Sequence, residues 1–237
     1  MNTPYGLNIL DTCLVCPVRE EHLFCNLSVS TVKRFDEITA TAVYPKGATL
    51  FTEGQRPCGV FVLCAGKAKL SISSQEGKTI ITNISERGDV LGLNAVVSNR
   101  PYEVTAEMME PGQANFIPRD SFLRLLKDDS EIGMHVAVEL SRSYYTAFEE
   151  IRTFGLSASL TERLAKLLLS WSMKTTPSDD SSRVTLTMTH GEIGEAIGTS
   201  RESVSRLFSE FKQKQLIDVK GSTLVIRNRE LEKITQS

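Results

Sequence analysis

Hydrophobic and polar positions follow two different patterns along the chain, and each predicts a different kind of element. Residues 26–126 consist of short β-rich runs interrupted by turns, with glycine at 47, 54, 59, 66, 77, 88 and 92. Residues 59–73 predict two strands about a tight turn at Ala65-Gly66, and residues 79–84 predict the next strand. Such a succession of short strands predicts an antiparallel barrel or roll.

A long helix is predicted from Ser130 to Phe154, where apolar or small residues recur at spacings of three and four. They are Ile132, Val136, Leu140, Ser143, Ala147, Ile151 and Phe154. Tyr144 and Phe148 widen this stripe beyond what one shallow contact with the roll requires. The pattern alone leaves two interpretations open, a core helix of one domain or a helix that packs against a second copy of the chain.

Residues 189–211 predict two further helices, which are separated by a break at Gly198. A threonine followed three residues later by glutamate marks the start of each, at Thr189 and Thr199, as in a capping box. The second helix has one apolar stripe, formed by Val204, Leu207, Phe208 and Phe211. The spacing is that of a helix-turn-helix.

The opposite face of the second helix carries side chains that can read base edges. Arginine can make two bonds to guanine, glutamate can accept from cytosine, and serine can bond either way. The residues are Arg201, Glu202, Ser205, Arg206 and Ser209. A solvated surface is the alternative, because Glu202 and Arg206 have the spacing of a helix ion pair. Two predicted strands that follow, 216–219 and 223–226, form a wing and favour DNA.

The segment resembles the winged-helix domain of the CRP/FNR superfamily of bacterial transcription regulators. The residues that match its core motif are Ile193, Gly194, Gly198, Ser200, Arg201, Glu202, Ser203, Val204 and Arg206. The resemblance implies DNA contacts at Thr199, Ser200, Arg201, Glu202, Ser203, Ser205 and Arg206. Within that set, Glu202, Ser205 and Arg206 match the triplet that reads TTGA-type half-sites of a palindrome.

The resemblance extends through most of the chain and implies an α+β fold with four parts. They are a cysteine-containing arm (1–26), a β-roll of the cyclic-nucleotide-binding type (27–126), a dimerisation helix (127–156) and a winged helix-turn-helix domain (157–237). Dimer contacts are implied at Ile132, Val136, Leu140, Ala147 and Ile151. The implied partners are double-stranded DNA, a second copy of the chain and RNA polymerase. A twofold dimer places its recognition helices one DNA turn, about 34–36 Å, apart and therefore requires a palindromic site.

Length and charge agree with a two-domain regulator. The chain has 237 residues, 41% of them apolar, and a formal net charge of -2, and it can fill two cores. Residues 188–229 hold seven Lys or Arg against five Asp or Glu, so DNA binding is expected to depend on salt. Without a membrane-spanning run or a signal peptide pattern, a cytoplasmic location is expected. No hydrolase, P-loop or metalloprotease motif occurs, so an enzyme is not expected.

The predicted roll departs from the cyclic-AMP-binding members of the superfamily. Those members carry a glutamate for the ribose hydroxyl and an arginine for the cyclic phosphate. This chain has Gly92-Leu93-Asn94-Ala95 at the first motif, and Tyr102 or Glu103 aligns with the arginine. Arg100 is offset by two or three residues, which changes its depth in a strand. A cyclic nucleotide is therefore not expected. The alternative is a CRP-like regulator that has no cluster and responds to a cyclic nucleotide or another small effector in the roll.

The arm carries a second candidate sensor, because Cys13, Cys16 and Cys25 lie within thirteen residues of a protein that does not need disulfides in the cytoplasm. A C-x-x-C pair can hold a metal or two corners of an iron–sulfur cluster. The region resembles the arm of FNR-type oxygen sensors, which implies a 4Fe-4S cluster that promotes dimerisation and is lost in air. A thiol–disulfide pair, a zinc site or no cofactor are the alternatives.

A fourth ligand is not evident from the sequence. The superfamily's fourth cysteine aligns with Asn115, which is a poor iron ligand. Cys58, Cys64, His22 or an acidic residue could replace it. Cys58 lies in a predicted turn and is the better exposed candidate, whereas Cys64 lies in an apolar run and is expected in the core.

The parts together predict that the ligand state of the arm or roll shifts the long helices. A hinge at residues 155–160 would then reposition the winged domains as a change between two dimer geometries. His135 and His190 are expected as structural or surface residues. A protein-interaction module without DNA selectivity is a further alternative.

Overall fold

The structure is a computed structural model, and it describes residues 4–156, 159–173 and 181–235. It divides into two compact units, residues 1–146 and 147–237. The hinge predicted at 155–160 includes residues 157 and 158, which lie outside the described residues. Among the described helices, none is both long and apolar enough to cross a membrane.

The first unit begins with an arm of short 3-10 turns, at Pro4–Gly6, Cys13–Val15, Arg19–Glu21 and Leu23–Cys25. The elements that follow are α1 (Val29–Glu37), β1 (Ala40–Tyr44), β2 (Thr49–Phe51), β3 (Gly59–Ala65), β4 (Ala68–Ser73), β5 (Thr79–Ser85), β6 (Val90–Leu91), α2 (Leu93–Ser98), β7 (Thr105–Met108), β8 (Gly112–Pro118), α3 (Arg119–Asp128) and α4 (Ser130–Leu156). The strands form two antiparallel sheets, ordered β1-β8-β3-β6 and β2-β7-β4-β5. This arrangement confirms the predicted β-roll.

Strands β3 and β4 are consecutive but belong to different sheets. The chain passes between the sheets at Gly66, whose φ of +84° favours glycine. A Cβ atom at Gly66 would also lie 2.9 Å from the Cα of Gly112. The tight turn predicted at this point is therefore a corner of the roll, whereas β4 and β5 form a hairpin.

Strand β3 is buried on both faces, which explains its continuous apolar sequence. Val60 and Val62 pack in one core cluster with α1, α3 and the start of α4. Phe61 and Leu63 pack in a second cluster between the two sheets. Because successive side chains of a strand point to opposite faces, residue parity along β3 decides which cluster a side chain joins.

Helix α4 confirms the predicted long helix, and it begins at Ser130 because the Asp129 carboxylate accepts a hydrogen bond from the backbone amide of Glu131 (3.0 Å). Its first turns belong to the core of the first unit. Ile132 and Val136 are buried there, so the prediction that these two residues form dimer contacts is wrong. Among the described side chains of α4, the large apolar ones that are exposed are Met134, Val138, Tyr144, Tyr145, Phe148 and Ile151.

The second unit holds the end of α4 and the predicted winged helix-turn-helix. Its elements are α5 (Leu160–Met173), β9 (Ser181–Thr185), α6 (His190–Ile197), α7 (Arg201–Gln213), β10 (Ile217–Lys220), β11 (Thr223–Arg227) and α8 (Asn228–Thr235). Strands β10 and β11 form the predicted wing. Strand β9, which the sequence analysis did not predict, pairs with β11 and completes a three-stranded sheet.

Candidate nucleic-acid interface and thiol site

Helix α6 is fixed at both ends by its own sequence. The hydroxyl of Thr189 accepts a hydrogen bond from the backbone amide of Glu192 (3.2 Å), and the Glu192 carboxylate accepts one from the backbone amide of Thr189 (2.8 Å). This is the predicted capping box. Gly198 ends the helix in the left-handed region, with φ of 72°. A Cβ at Gly194 would lie 2.7 Å from the carbonyl oxygen of Thr199, so glycine there allows the tight turn into α7.

Helix α7 begins one residue later than predicted. The hydroxyl of Ser200 accepts a hydrogen bond from the backbone amide of Ser203 (3.3 Å) and caps the helix. The amide of Thr199 instead donates to the carbonyl oxygen of Gly194 (2.8 Å) and closes α6. The capping box predicted at Thr199 and Glu202 is therefore wrong, because the turn uses Thr199. The predicted apolar stripe is confirmed, with Val204, Phe208 and Phe211 buried and Leu207 half-buried.

Three charged side chains of α7, Arg201, Glu202 and Arg206, are exposed on one side of the helix and form the reading face. Arg206 donates a hydrogen bond to the hydroxyl of Ser203 (3.3 Å), which leaves other guanidinium donors available for a base or a phosphate. Ser203 and Thr199 are half-buried, and Ser200 is exposed at the helix start. The residues predicted to contact DNA therefore gather at the first two turns of α7.

Ser205 differs from the rest of the predicted reading set because its hydroxyl is already engaged. It donates to the carbonyl oxygen of Arg201 (3.1 Å) and lies 2.9 Å from Nδ1 of His190. The imidazole also packs against Phe208, with ring centroids 4.7 Å apart. Burial, and then the cations Arg201 and Lys212, lower the pKa of His190. His190 therefore joins α6 to α7, consistent with the structural role expected for it.

Four cysteines of the first unit line one cavity, which we call the thiol site. Cys13, Cys16 and Cys25 come from the arm, and Cys64 comes from β3. The cavity volume is about 40 Å³, several times the roughly 10–15 Å³ that one water molecule needs. Cys58 is exposed in the turn before β3, where its sulfur lies 3.6 Å from the hydroxyl of Tyr102. Cys58, the predicted fourth ligand, therefore lies outside this cavity, whereas Cys64, expected in the core, lines it.

The arm is attached to the roll by two buried amide side chains of β8. Gln113 accepts a hydrogen bond from the backbone amide of Leu10 (3.0 Å) and donates to the carbonyl oxygen of Leu10 (2.8 Å). Asn115 donates to the sulfur of Cys13 (3.5 Å). Sequence reasoning did not assign Gln113, although two amides in an otherwise apolar strand were a detectable signal. Asn115, which aligns with the family's fourth cysteine, thus contacts the candidate ligand Cys13.

Helix α1 connects the thiol site to the start of α4. At its C-terminal end, Asp36 accepts hydrogen bonds from the backbone amide of Cys13 (3.2 Å) and from the hydroxyl of Thr12. At its N-terminal end, Thr31 donates a hydrogen bond to Glu131 (2.7 Å). In its middle, Arg34 forms an ion pair with Asp129 (3.0 Å). The helix therefore contacts both elements through polar groups.

Cys13, Cys25 and Cys64 are held in an environment that favours the neutral form of the thiol. Burial raises the pKa of Cys25 to about 11 and that of Cys64 to about 12, and neighbouring thiols add to both shifts. Burial and the carboxylate of Asp36 raise the pKa of Cys13 further. A thiolate reacts and binds metals, whereas a neutral thiol does neither well. A bound cation would therefore have to displace protons here.

The four cysteines line one cavity without surrounding a single point. Within the described residues, no three His, Cys, Asp or Glu side chains already surround one point as a zinc ion requires. Each thiolate of a 4Fe-4S cluster binds a different iron atom, so the sulfur atoms need not converge. Two cations also line the cavity. Arg87 lies 3.6 Å from the sulfur of Cys16, and Nη1 of Arg19 is buried without a hydrogen-bond partner among the described groups.

Of the two residues predicted to align with the phosphate-binding arginine, Tyr102 belongs to the core of the roll. Its ring is buried and stacks on Phe51 with a centroid distance of 4.1 Å. Its hydroxyl donates to the carbonyl oxygen of Gly59 (2.6 Å) and accepts from the backbone amide of Gly59 (3.2 Å). The next residue, Glu103, accepts a hydrogen bond from Asn94 (3.4 Å) at the start of α2. An aromatic ring and a carboxylate thus replace the arginine.

Two family models match the chain, in the order in which its units occur. The model of the cyclic nucleotide-binding domain matches residues 41–129, and the model of the Crp-like helix-turn-helix domain matches residues 162–232. The chain belongs to the CRP/FNR family. It is a DNA-binding transcription regulator of that family, and both the resemblance and the α+β fold predicted from the sequence are confirmed.

Curated relatives of this CRP/FNR regulator span most of the chain. The cAMP-activated global transcriptional regulator CRP of Escherichia coli is 23% identical over 184 residues, 77% of this chain and 87% of the relative. A CRP-like cAMP-activated global transcriptional regulator of Mycobacterium tuberculosis is 24% identical over 188 residues, 79% of this chain and 84% of the relative. Both relatives are transcription regulators.

Solved structures share the fold of this CRP/FNR regulator at low identity. FixK2 from Bradyrhizobium japonicum has a TM-score of 0.73 and 20% identity, covering 83% of this chain and 97% of that chain. A CooA mutant from Carboxydothermus hydrogenoformans has a TM-score of 0.71 and 20% identity, covering 84% of this chain and 88% of that chain.

Proposed function

We propose that this regulator binds palindromic TTGA-type half-sites as a dimer in the cytoplasm and responds to oxygen or redox state through an iron–sulfur cluster at the thiol site. The observation that carries the proposal is the gathering of four cysteines on one cavity beneath an arm attached to α1. RNA polymerase is the partner through which a DNA-bound regulator would act on transcription.

The reading face supports sequence selectivity. Arg206 is exposed in the second turn of α7 and can make two bonds to a guanine. Glu202 lies one turn earlier and can accept from a cytosine. Ser205 is half-buried and held by His190, so it would position α7 or bond a base only at its remaining lone pair.

The exposed part of α4 supports dimerisation. Regulators of this family bind DNA and are dimers. Tyr144, Tyr145 and Ile151 are each more than half exposed in the single chain. Large aromatic side chains are enriched in the buried centres of protein interfaces, so these residues, with Ala147, are better dimer contacts than Ile132 and Val136.

The thiol site supports a cluster over the other cofactors considered. Burial keeps Cys13, Cys25 and Cys64 neutral, and neutral thiols react slowly with oxidants. In the described part of the chain, no three candidate ligands surround a single ion. When bound, a 4Fe-4S cluster would supply sensitivity to oxygen at this site. The residues that would hold it are Cys13, Cys16 and Cys25, while Arg19 and Arg87 offset its negative charge.

The contacts of α1 supply a route from the thiol site to the dimer helix. Asp36 accepts a hydrogen bond from the backbone amide of Cys13, so a movement of Cys13 would reach α1. At the other side, Ser28, Thr31 and Arg34 contact Glu131 and Asp129 at the start of α4. A change in the arm is therefore expected to shift the balance between two arrangements of α4.

A cyclic nucleotide in the roll is the weaker candidate, although two relatives are described as cAMP-activated. Tyr102, one of the two residues predicted to align with the phosphate-binding arginine, is buried and cannot neutralise a phosphate. Glu103 adds a carboxylate beside it. A nucleotide would have to displace a buried ring and approach a like charge.

The proposed function is tested by binding of the protein to a TTGA palindrome, measured by fluorescence anisotropy without oxygen and after exposure to air. We expect affinity to fall several-fold in air for the wild type and to stay at one low value for Cys16→Ser. A scrambled palindrome is the control for sequence selectivity. Equal affinity for both DNAs would contradict the reading role, and equal affinity with and without air would contradict the signal.

A further inference from the structure

We infer that Cys64 of β3 supplies the fourth thiolate of the cluster, so that the cluster joins the arm to the roll. This inference rests on the proposed function and names a ligand that the spacing of the cysteines did not identify. Its consequence is structural, because a ligand in β3 would anchor the cluster and the arm to a buried strand of the sheet.

Cys64 lines the same cavity as the arm cysteines, so it lies on the side of β3 toward the arm. Val60 and Val62 point into the cluster that contains Phe24 and α1, whereas Phe61 and Leu63 point between the sheets. Cys64 has the same parity as Val60 and Val62. It is only half-buried, although the strand before it is buried, which fits a side chain that lines a cavity.

An irregularity in the sheet lies at the same position. The pairing of β3 with β8 shifts register between Leu63 and Ala65, so Cys64 stands at a bulge without a regular partner. Bulges bend a strand and redirect a side chain, and they are frequent beside functional sites. The thiol of Cys64 donates a hydrogen bond to the carbonyl oxygen of Val62, with the sulfur 3.5 Å from that oxygen.

The neighbours of Cys64 complete a site for a negatively charged cluster. Asn115, on β8, faces Cys13 and lines the cavity with Cys64. Arg87 contacts the sulfur of Cys16, and Nη1 of Arg19 is buried without a partner among the described groups. Hydrogen bonds to cluster sulfur atoms are a common feature of such sites, and Arg19 has a donor to give.

The test is anaerobic reconstitution of the full chain with iron and sulfide, followed by native mass spectrometry, iron assay and electron paramagnetic resonance. The wild type and Cys58→Ser are expected to hold about four iron atoms per chain. Cys64→Ser is expected to lose the cluster or to keep a three-iron form, which is paramagnetic when oxidised. Cys64→Ala is the second variant, and circular dichroism of the iron-free proteins shows whether each is folded.

A rescue variant separates a ligand role from a packing role. Asn115 borders the same cavity, so adding Asn115→Cys to Cys64→Ser should restore about four iron atoms per chain. A full, equally air-stable cluster in Cys64→Ser, or loss of the cluster in Cys58→Ser, would overturn the assignment of Cys64 alone. An iron-free wild type would overturn the proposed function and this assignment with it.

Discussion

Glu131, in the first turn of α4, accepts hydrogen bonds from both the backbone amide and the hydroxyl of Ser28, each 2.8 Å long. Ser28 is also the residue that caps α1. The two helices are therefore joined at their N-terminal ends, while the other end of α1 holds Cys13 through Asp36. This joint is the point at which a change at the thiol site would reach the long helix.

Breaking the joint should uncouple sensing from DNA binding. Glu131→Ala removes the acceptor for Ser28 and one of two acceptors for Thr31, and it leaves the cysteines and the reading face intact. We expect the difference in operator affinity with and without air to shrink several-fold, since coupling between sites is typically worth about 1–3 kcal/mol. The measurement is fluorescence anisotropy on one palindrome, with Glu76→Ala, in an exposed turn of the roll, as the control. An unchanged response in Glu131→Ala would exclude this route.

Arg206 should carry part of the base specificity. Arg206→Ala is expected to lose roughly 1–3 kcal/mol of discrimination at one guanine of each half-site. Binding is measured at a fixed salt concentration on palindromes that vary one base at a time. The control is Lys214→Ala, at the C-terminal end of α7. It should either weaken binding to all sequences equally or leave binding unchanged. If Arg206→Ala also weakened every sequence equally, Arg206 would be a phosphate contact.

The stability of the helix-turn-helix should depend on pH through His190. Its pKa is lowered in the folded state by burial and nearby cations, so the unfolded chain binds a proton more readily. The free energy of unfolding is therefore expected to fall as pH decreases through the ordinary value of 6.5 and to level off below the folded pKa. Urea unfolding between about pH 5 and 8 measures this.

Two variants show whether His190 is the group responsible. His190→Gln should flatten the dependence on pH. Ser205→Ala should keep most of it, because burial is the main cause of the shift and the hydroxyl contact is removed without removing the imidazole. A slope in His190→Gln that matches the wild type would assign the dependence to another group.

Tyr102 should stabilise the roll rather than accommodate an effector. Tyr102→Phe removes a hydrogen bond to the carbonyl oxygen of Gly59 and is expected to cost about 1 kcal/mol. Neither the wild type nor Tyr102→Phe is expected to bind cyclic AMP saturably in calorimetry. Saturable binding by the wild type would instead support a small-molecule regulator.

Local sequence signals were sufficient for most of the fold. The helix-turn-helix was predicted from Gly198, the capping residue Thr189 and the apolar stripe of α7. Each of these signals depends only on residues that are close in sequence. Strand β9 was missed because it pairs with β11, more than thirty residues later, and no local pattern records such a partner.

Spacing predicted the arm cysteines as a group but not their fourth member. Cys64 belongs to an apolar run, and its exposure to the cavity follows from a bulge and from residue parity in a sheet. A sequence pattern also could not separate the buried from the exposed residues of α4, because one apolar face continues from Ile132 to Ile151. The roll covers only the first turns of that face, so core and exposed positions share one pattern.

The central claim is that the thiol site binds an iron–sulfur cluster. It is tested most directly by the visible absorption spectrum, with iron and acid-labile sulfide assays, of protein purified without oxygen and then exposed to air. We expect a broad sulfur-to-iron charge-transfer band and about four iron atoms per chain, with bleaching of the band in air. A colourless, iron-free protein that resists reconstitution and still binds the palindrome would contradict the claim and leave only the DNA-binding role.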